Sequence, residues 1–102
     1  MHARVTTYEG SAGLSDEQVQ EITRRTEETV LPTVRQMGGY KGVFSLMDRG
    51  TGKALSLTLW ESEEAMRASE EAANQTRGQA ARIASRQVIG IERFEVTFWE
   101  VS

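Results

Sequence analysis

The sequence predicts an α+β fold in which helices cover one face of a four-stranded antiparallel sheet. Three observations carry this prediction. Short segments of strand-like residues alternate with segments of helical period, glycine-containing turns separate them, and the period changes abruptly within Ala54–Ala65. A period of two residues is typical of strands, whereas spacings of three and four are typical of helices. The predicted order is strand, helix, strand, strand, helix, strand.

The first strand is predicted over Ala3–Glu9, which is rich in β-branched residues and ends near Tyr8. Ser15 then starts the first helix, because Ser15 and Gln18 have the spacing of a capping box, in which each side chain satisfies the other residue's free N–H. An apolar stripe with steps of three and four residues continues the helix. Its members are Val19, Ile22, Thr26, Val30, Val34 and Met37.

Pro32 interrupts this helical stripe. Because proline lacks a backbone N–H and its ring clashes with the preceding turn, it predicts either a kink or a split near Leu31. The pattern leaves both outcomes open. Gly38 and Gly39 end the helical segment, and we expect one of them to adopt the left-handed cap conformation.

The second strand is predicted over Val43–Asp48 and the third over Ala54–Trp60. Residues 49–53, with the sequence RGTGK, form a hairpin turn between them, because glycine supplies positive φ at such turns. The phosphate-loop alternative would need glycine where Met47 stands, together with a following helix. Ser62 then caps the second helix.

The second helix is predicted to bury a stripe of mostly small residues, with Gly78 as a candidate interruption. The stripe is Met66, Ser69, Ala72 or Ala73, Thr76, Ala80 and Ile83. The last strand is predicted over Val88–Val101, with Gly90 as a candidate bulge. The resulting βαββαβ order is the ferredoxin-like arrangement. We expect residues 1–102 to form one domain.

Both faces of the predicted sheet carry large apolar side chains. On the second strand, Phe44 and Leu46 alternate with Val43 and Met47. Burying one such side chain stabilises a fold by about 1.5–3 kcal/mol, and the two helices cover only one face. We therefore expect a homodimer in which two sheets pack face to face.

Composition argues against several classes of function. The 102 residues carry a net charge of −3, and their Lys and Arg residues form no basic block, so nucleic-acid binding is not expected. Cysteine is absent, and the one histidine, His2, lies near the amino terminus, so we expect no metal and no cofactor. No apolar run reaches the roughly 20 residues of a membrane span, and the first five residues do not resemble the apolar region of a signal peptide, so a secreted form is not expected. A cytoplasmic protein without a membrane partner is expected.

Trp60 is the strongest candidate for ligand binding. It ends the third strand and shares a face with Ser56 and Thr58. Strand ends are common pocket rims, and an indole beside two hydroxyls suits a flat, weakly polar ligand. The alternative is that Trp60, like Tyr8, Tyr40 and Trp99, serves in the core or in an interface.

Two segments resemble a known family. Leu57–Met66, with the sequence LTLWESEEAM, resembles the third-strand junction of antibiotic-biosynthesis-monooxygenase-like domains, which belong to the dimeric α+β barrel superfamily. Gly39–Val43, with the sequence GYKGV, is similar to that family's entry into the second strand. The resemblance implies a dimer whose sheets form a central barrel, with a pocket between sheet and helices in each subunit. Ser56, Thr58 and Trp60 would then face the pocket, and the leucines of the third strand would face the barrel.

The resemblance also implies a set of ligand-binding residues. Several family members oxidise aromatic polyketides with molecular oxygen and without metal or flavin. In them a tryptophan matching Trp60 lines the pocket, with an asparagine four residues earlier and a tyrosine six residues later. Ser56 and Met66 stand at those two positions here, and methionine has no proton to donate. The expected ligand-binding residues are Trp60, Ser56, Thr58, Tyr8 and Met66.

Two functions follow as alternatives. The first is a small-molecule-binding protein that is non-catalytic or of unknown activity. The second is a cofactor-free monooxygenase acting on an aromatic or quinone-type substrate. Heme cleavage is not expected, because heme-degrading relatives place a histidine ligand on the second helix, where this chain has Asn74, Gln75 and Thr76.

Overall fold

In the computed structural model, which describes all 102 residues, helices pack against one face of a four-stranded antiparallel sheet. The elements are β1 (His2–Glu9), α1 (Asp16–Thr29), α2 (Leu31–Arg35), β2 (Tyr40–Asp48), β3 (Lys53–Trp60), α3 (Glu63–Ala68), α4 (Glu70–Ile83) and β4 (Gln87–Glu95). The strand order is β2-β3-β1-β4. This arrangement confirms the predicted ferredoxin-like α+β fold. None of the helices is long and apolar enough to cross a membrane.

Both predicted helix caps are confirmed. The Ser15 hydroxyl accepts a hydrogen bond from the backbone N–H of Gln18 at 3.1 Å, and the Gln18 side chain accepts one from the Ser15 N–H at 2.8 Å. The Ser62 hydroxyl accepts from the N–H of Ala65 at 3.1 Å and begins α3. These bonds satisfy N–H groups that a helix end would otherwise leave unpaired.

Pro32 splits the first helical segment. Helix α1 ends at Thr29, and α2 starts at Leu31 with Pro32 in its first turn, where the missing N–H breaks no helical hydrogen bond. Val30, between the two helices, is 5% exposed, and Val34 on α2 is 6% exposed. The split therefore keeps both valines in the core while the chain changes direction.

The second helical segment also divides, which the sequence pattern did not predict. Helix α3 ends at Ala68, and Ser69 separates it from α4. The Arg4 guanidinium from β1 donates to the Met66 carbonyl at 2.7 Å and to the Ser69 hydroxyl at 2.9 Å. A side chain from a distant strand thus satisfies the polar groups at the break. Gly78, the predicted interruption, lies within α4 instead.

Strand β4 is shorter than predicted, because it ends at Glu95 and not at Val101. Its neighbour in the sheet is β1, whose first residue, His2, already pairs with Glu95. The chain beyond this point has no strand to pair with. Phe98 and Trp99 consequently lie outside the sheet, with 86% and 57% of their surface exposed.

Two glycines confirm the predicted turns. Gly39 has φ +79°, and a Cβ atom there would lie 2.5 Å from the Cβ of Ala65. Gly52, in the hairpin turn, has φ +80°, and a Cβ atom there would lie 2.2 Å from the Gly10 carbonyl oxygen. Each position therefore requires glycine both for its conformation and for its close contact.

The predicted irregularity near Gly90 is also present. Thr7 pairs with Gly90 whereas Tyr8 pairs with Val88, so Ile89 is an additional residue in β4. Such a bulge bends the strand and increases its local twist. The bend occurs beside Tyr8.

The register of the sheet assigns each side chain to one of two faces. On the helix-facing side, β1 and β3 form the pairs His2–Trp60, Arg4–Thr58, Thr6–Ser56 and Tyr8–Ala54. The opposite face carries the leucines of β3 together with Phe44, Leu46 and Phe94. These three residues are 45%, 49% and 49% exposed, respectively. The chain by itself thus leaves a large apolar part of this face exposed, although Leu59 and Ala3 on the same face are buried.

Candidate functional site

A cavity of about 430 Å³ lies between the sheet and helices α1, α2 and α4. Its volume falls within the range of small-molecule sites. The helical side of the wall is mostly apolar, with polar groups contributed by Thr23, Thr26, Thr76 and Arg77. Its apolar residues include Val19, Ile22, Val34, Ala73 and Ala80, together with Val30 between α1 and α2. The small side chains on α4 leave this space unfilled.

The floor of the cavity consists of three rows of side chains that cross strands β2, β3 and β1. The middle row is Ser45, Ser56 and Thr6, because Ser56 pairs with both of the other residues. None of these three hydroxyl groups forms a hydrogen bond within the protein, although all three residues line the cavity. A ligand lying on this floor would find three free hydroxyl groups in line.

The two outer rows place a guanidinium group at one end of the floor and a phenol at the other. One row runs from Val43 through Thr58 to Arg4, and the other from Met47 through Ala54 to Tyr8. Arg4 and Tyr8 therefore stand on the same strand and face, on either side of Thr6. We name the two regions the Arg4 end and the Tyr8 end.

Trp60 is 0% exposed and is not part of the cavity wall. Its indole N–H donates to the Thr58 hydroxyl at 2.9 Å, and its ring meets the Tyr40 ring edge to face at 6.3 Å between centroids. The Arg4 guanidinium lies 5.3 Å from the indole centroid, within cation–π range. Trp60 thus supports the cavity through Thr58 and Arg4, which do line it.

The structure separates the five predicted binding residues into two groups. Tyr8, Ser56 and Thr58 line the cavity. Trp60 and Met66 lie outside its wall, and they are the two largest completely buried side chains. His2 also lies outside, with its Nε2 atom 3.4 Å from a Glu63 carboxylate oxygen.

The positive charge of Arg4 is paired with a carboxylate of the protein, Glu70. Its guanidinium is 2% exposed and lies 3.1 Å from a Glu70 carboxylate oxygen, in addition to its bonds to the α3 end; its Nε atom has no partner. Glu70 also accepts two hydrogen bonds from Arg93, at 2.6 and 2.8 Å. The hydrogen bonds from Arg93, and secondarily the hydrogen bond and charge of Arg4, lower the pKa of Glu70 to about 2, against a smaller opposing effect of burial. Glu70 is therefore ionised at neutral pH.

The Tyr8 end contains two further arginines, Arg77 from α4 and Arg86 from the segment before β4. Arg77 is 8% exposed, and its side chain makes one long hydrogen bond, to Asn74 at 3.4 Å. Arg86 is half-buried and forms neither an ion pair nor a side-chain hydrogen bond. Burial lowers the pKa of both arginines, which nonetheless stay charged at neutral pH.

Tyr8 completes this end of the cavity. It is 6% exposed, and its hydroxyl forms no hydrogen bond within the protein. Burial raises the pKa of the phenol, and the nearby charges of Arg77 and Arg86 oppose that shift without reversing it. At neutral pH the hydroxyl is therefore protonated and is available as a donor.

The sequence pattern did not single out any of the three arginines that line the cavity. Arg4 shares the parity of Tyr8 on the first strand, so period two alone would have put both on one face. Arg77 directly follows Thr76, a member of the predicted buried stripe. Arg86 had no comparable signal, because it lies between two elements and its position depends on the turn that precedes it.

Comparison with known sequences gives relatives of unknown activity. No family model matches the chain. Two uncharacterised proteins of Mycobacterium tuberculosis (strain ATCC 25618 / H37Rv), Rv2557 and Rv2558, are 31% and 33% identical to it over 81 residues. That alignment covers 79% of this chain but only 34% and 33% of those proteins. The chain thus spans about a third of the length of the curated relatives it matches.

Solved structures of the same fold cover essentially the whole chain. The monooxygenase ActVA-Orf6 of Streptomyces coelicolor, in complex with nanaomycin D, has a TM-score of 0.67 at 12% identity, over 99% of this chain and 91% of that one. A Deinococcus radiodurans protein assigned to the antibiotic biosynthesis monooxygenases has a TM-score of 0.62 at 19% identity, over 100% and 98%. The heme-degrader MhuD of Mycobacterium tuberculosis, with two hemes bound, has a TM-score of 0.59 at 22% identity, over 100% of both chains.

These likenesses establish the fold. The chain has the fold of the antibiotic-biosynthesis-monooxygenase-like proteins, as the resemblance of its Leu57–Met66 segment predicts. Identities of 12–22% carry no assignment of activity or substrate.

Proposed function

We propose that the protein binds a small, flat organic molecule in the cavity between its sheet and helices α1, α2 and α4, without a metal or cofactor. The cavity itself is the observation that carries this proposal. It combines about 430 Å³ of space and an apolar helical wall with a floor of free hydroxyl groups. A mostly apolar site with a few convergent polar groups is the usual design for holding a small molecule. Nanaomycin D in ActVA-Orf6 and heme in MhuD are ligands of proteins with this fold.

Three of the predicted residues would contact such a ligand, and the other two would support the cavity from outside its wall. Ser56 and Tyr8 would donate hydrogen bonds to its polar edge. The Thr58 hydroxyl accepts from Trp60, so its own proton is free to point into the cavity. Trp60 and Met66 would hold the floor and the α3 end in place from behind.

Filling the cavity tests the proposal. Ala80→Phe on α4 puts a ring into the wall, whereas Ala72→Phe adds the same ring at an exposed position of the same helix. Against a panel of naphthoquinones and anthraquinones measured by titration calorimetry, we expect Ala80→Phe to weaken binding at least about tenfold and Ala72→Phe to leave it unchanged. Equal loss in both variants, or binding that survives Ala80→Phe, would contradict the proposed site.

The alternative function is a cofactor-free monooxygenase acting on an aromatic or quinone-type substrate. The observation that favours it is the pair of cations beside Tyr8, which would stabilise a substrate deprotonated at its own acidic position. The test is oxygen uptake with anthrones and quinols. Consumption that exceeds the protein-free rate and falls in Ala80→Phe supports the enzyme, and binding without uptake supports the non-catalytic protein.

A homodimer belongs to the same proposal. Phe44, Leu46 and Phe94 leave an apolar patch on the face of the sheet that no helix covers. A second copy, packed sheet to sheet, would bury this patch on both subunits at once. Sedimentation equilibrium should give twice the mass of the chain, and a stable monomer at micromolar concentration would refute the pairing. A cytoplasmic location, expected from the sequence, is likewise a proposal.

A further inference from the structure

We infer that the ligand of this cavity is an organic anion, and that Arg77 and Arg86 bind its carboxylate or phenolate oxygen at the Tyr8 end. The inference rests on the proposed binding function and adds two things to it. It specifies the charge of the ligand, and it states where the charged group lies.

The first argument is the balance of charge around the cavity. Its wall contains three guanidinium groups, Arg4, Arg77 and Arg86, and one carboxylate, Glu27, which is exposed on α1. Glu70 neutralises Arg4, but no carboxylate lies within ion-pair distance of the other two arginines. The chain as a whole is acidic, with a net charge of −3, so this excess of positive charge is local.

The second argument is the burial of these charges. Arg77 is 8% exposed and makes one long hydrogen bond, which leaves most of its five donors without a partner. Burying a cation without a counter-charge is costly, and proteins normally pair such groups. An anionic ligand would supply the missing counter-charge.

The third argument is that the backbone fixes the position of Arg86. Helix α4 ends in a Schellman motif, in which the Arg86 N–H donates to the Ala81 carbonyl at 2.8 Å and the Ser85 N–H donates to the Arg82 carbonyl at 3.2 Å. Ser85 takes the left-handed position of this motif with φ +53°, where glycine is usual. The hydrogen bonds of this motif fix the point at which the chain leaves α4 and enters Arg86.

Gly10 packs against the side chain of Arg86. A Cβ atom at Gly10 would lie 2.6 Å from the Cγ atom of Arg86, so glycine allows the stem of Arg86 to pack directly against the end of β1. The guanidinium lies close enough to Tyr8 for its charge to oppose the rise in the pKa of the phenol that burial causes. The Schellman turn thus fixes the backbone of Arg86, and Gly10 leaves room for the stem of its side chain.

The fourth argument is the kind of hydrogen bond that this end offers. Two guanidinium groups and a protonated phenol are donors, and Arg77 and Arg86 have no acceptor capacity. Charge-assisted bonds from arginine to carboxylate are about twice as strong as neutral ones. The site therefore selects an anion over a neutral amide of the same shape, while the apolar body of the ligand lies along the helical wall.

A matched pair of probes tests the charge. 2-Naphthoate and 2-naphthamide differ in charge but hardly in shape, and titration calorimetry gives both affinities. We expect the carboxylate to bind at least about tenfold more tightly. Equal affinities would overturn the anion inference and leave the proposed function standing. Failure of both probes and of the quinone panel to bind would refute the proposed function itself.

Variants test the residues. Arg86→Gln, at a half-buried position, should reduce the preference for naphthoate at least about threefold, with the remaining preference due to Arg77, and Arg86→Lys should restore part of the loss. Arg82→Gln, an exposed arginine on α4, is the matched control and should retain the full preference. Thermal melts establish that each variant is folded. A full preference for naphthoate in folded Arg86→Gln would overturn the assignment.

Discussion

Arginines line both ends of the cavity, but only the one at the Arg4 end forms an ion pair with a carboxylate of the protein. At the Arg4 end, Arg4 makes two hydrogen bonds to the α3 break and an ion pair with Glu70. At the Tyr8 end, Arg77 has one long hydrogen bond and Arg86 has none. Burial is similar for Arg4 and Arg77, at 2% and 8% exposed. The partners of these arginines therefore separate Arg4, as a structural residue, from Arg77, as a proposed ligand-binding residue, whereas their burial does not.

Removing the balanced arginine should have the largest effect. Arg4→Met removes the counter-charge of Glu70, one of the donors to the Met66 carbonyl, the donor to the Ser69 hydroxyl, and the cation over Trp60. The Met66 carbonyl keeps its hydrogen bond from the Ser69 hydroxyl. We expect the free energy of unfolding to fall by about 3 kcal/mol, as for other broken buried ion pairs. Urea denaturation measures it. A loss below about 1 kcal/mol would show that Arg4 is not the structural member of the comparison.

Acid should weaken the Arg4 end selectively. The pKa of Glu70 is lowered in the folded state from its ordinary value of 4.5 to about 2, so its stabilisation is fully present above pH 4.5 and is lost as the pH falls toward 2. After allowance for solvent screening, this loss amounts to about 1–2 kcal/mol. The free energy of unfolding, measured by denaturation at several pH values across this range, should change less with pH in Glu70→Gln than in the wild type. Identical pH profiles would contradict the assignment.

Relieving the strain at the Tyr8 end should stabilise the protein slightly. Ser85→Gly removes a Cβ atom from the left-handed position without altering the Schellman hydrogen bonds. We expect a gain of about 0.5–1 kcal/mol, seen as a higher melting temperature. Naphthoate affinity should not change, because the path of the chain to Arg86 is kept. A lower melting temperature would argue against strain at this residue.

Removing Arg77, which has no carboxylate partner, should have the smallest effect on stability. Arg77→Met keeps the stem of the side chain and deletes a buried charge that has no carboxylate partner. We expect a change within about 1 kcal/mol of zero, because such replacements are often neutral. Naphthoate binding should nevertheless weaken. Destabilisation equal to that of Arg4→Met, in the same urea experiment, would abolish the distinction between the two ends.

Much of the fold could be predicted because its signals are local. The Ser15–Gln18 capping box involves residues three positions apart, and the turns at Gly39 and Gly52 depend on the conformation of one residue. The break at Ser69 could not be predicted in this way. The long-range contact made there is with Arg4, which lies 65 positions from Ser69 in the chain.

The candidate site was predictable only in part, for the same reason. Strand parity put Ser56 and Thr58 on one face, and both line the cavity. Parity did not reveal that Trp60, on that same face, would be covered by Arg4 and Tyr40. Period identifies the side of a strand, but it does not say which neighbours lie over a given residue.

The order of elements, the helix caps, the glycine turns and the apolar second face of the sheet could all be derived from the amino-acid sequence. These features follow from spacing along the chain and from the backbone preferences of single residues. The tertiary structure alone decided that β4 stops where β1 begins and that Arg77, Arg86 and Tyr8 meet at one end of a cavity. These outcomes depend on contacts between distant segments, whose geometry exists only after the sheet and helices have packed together.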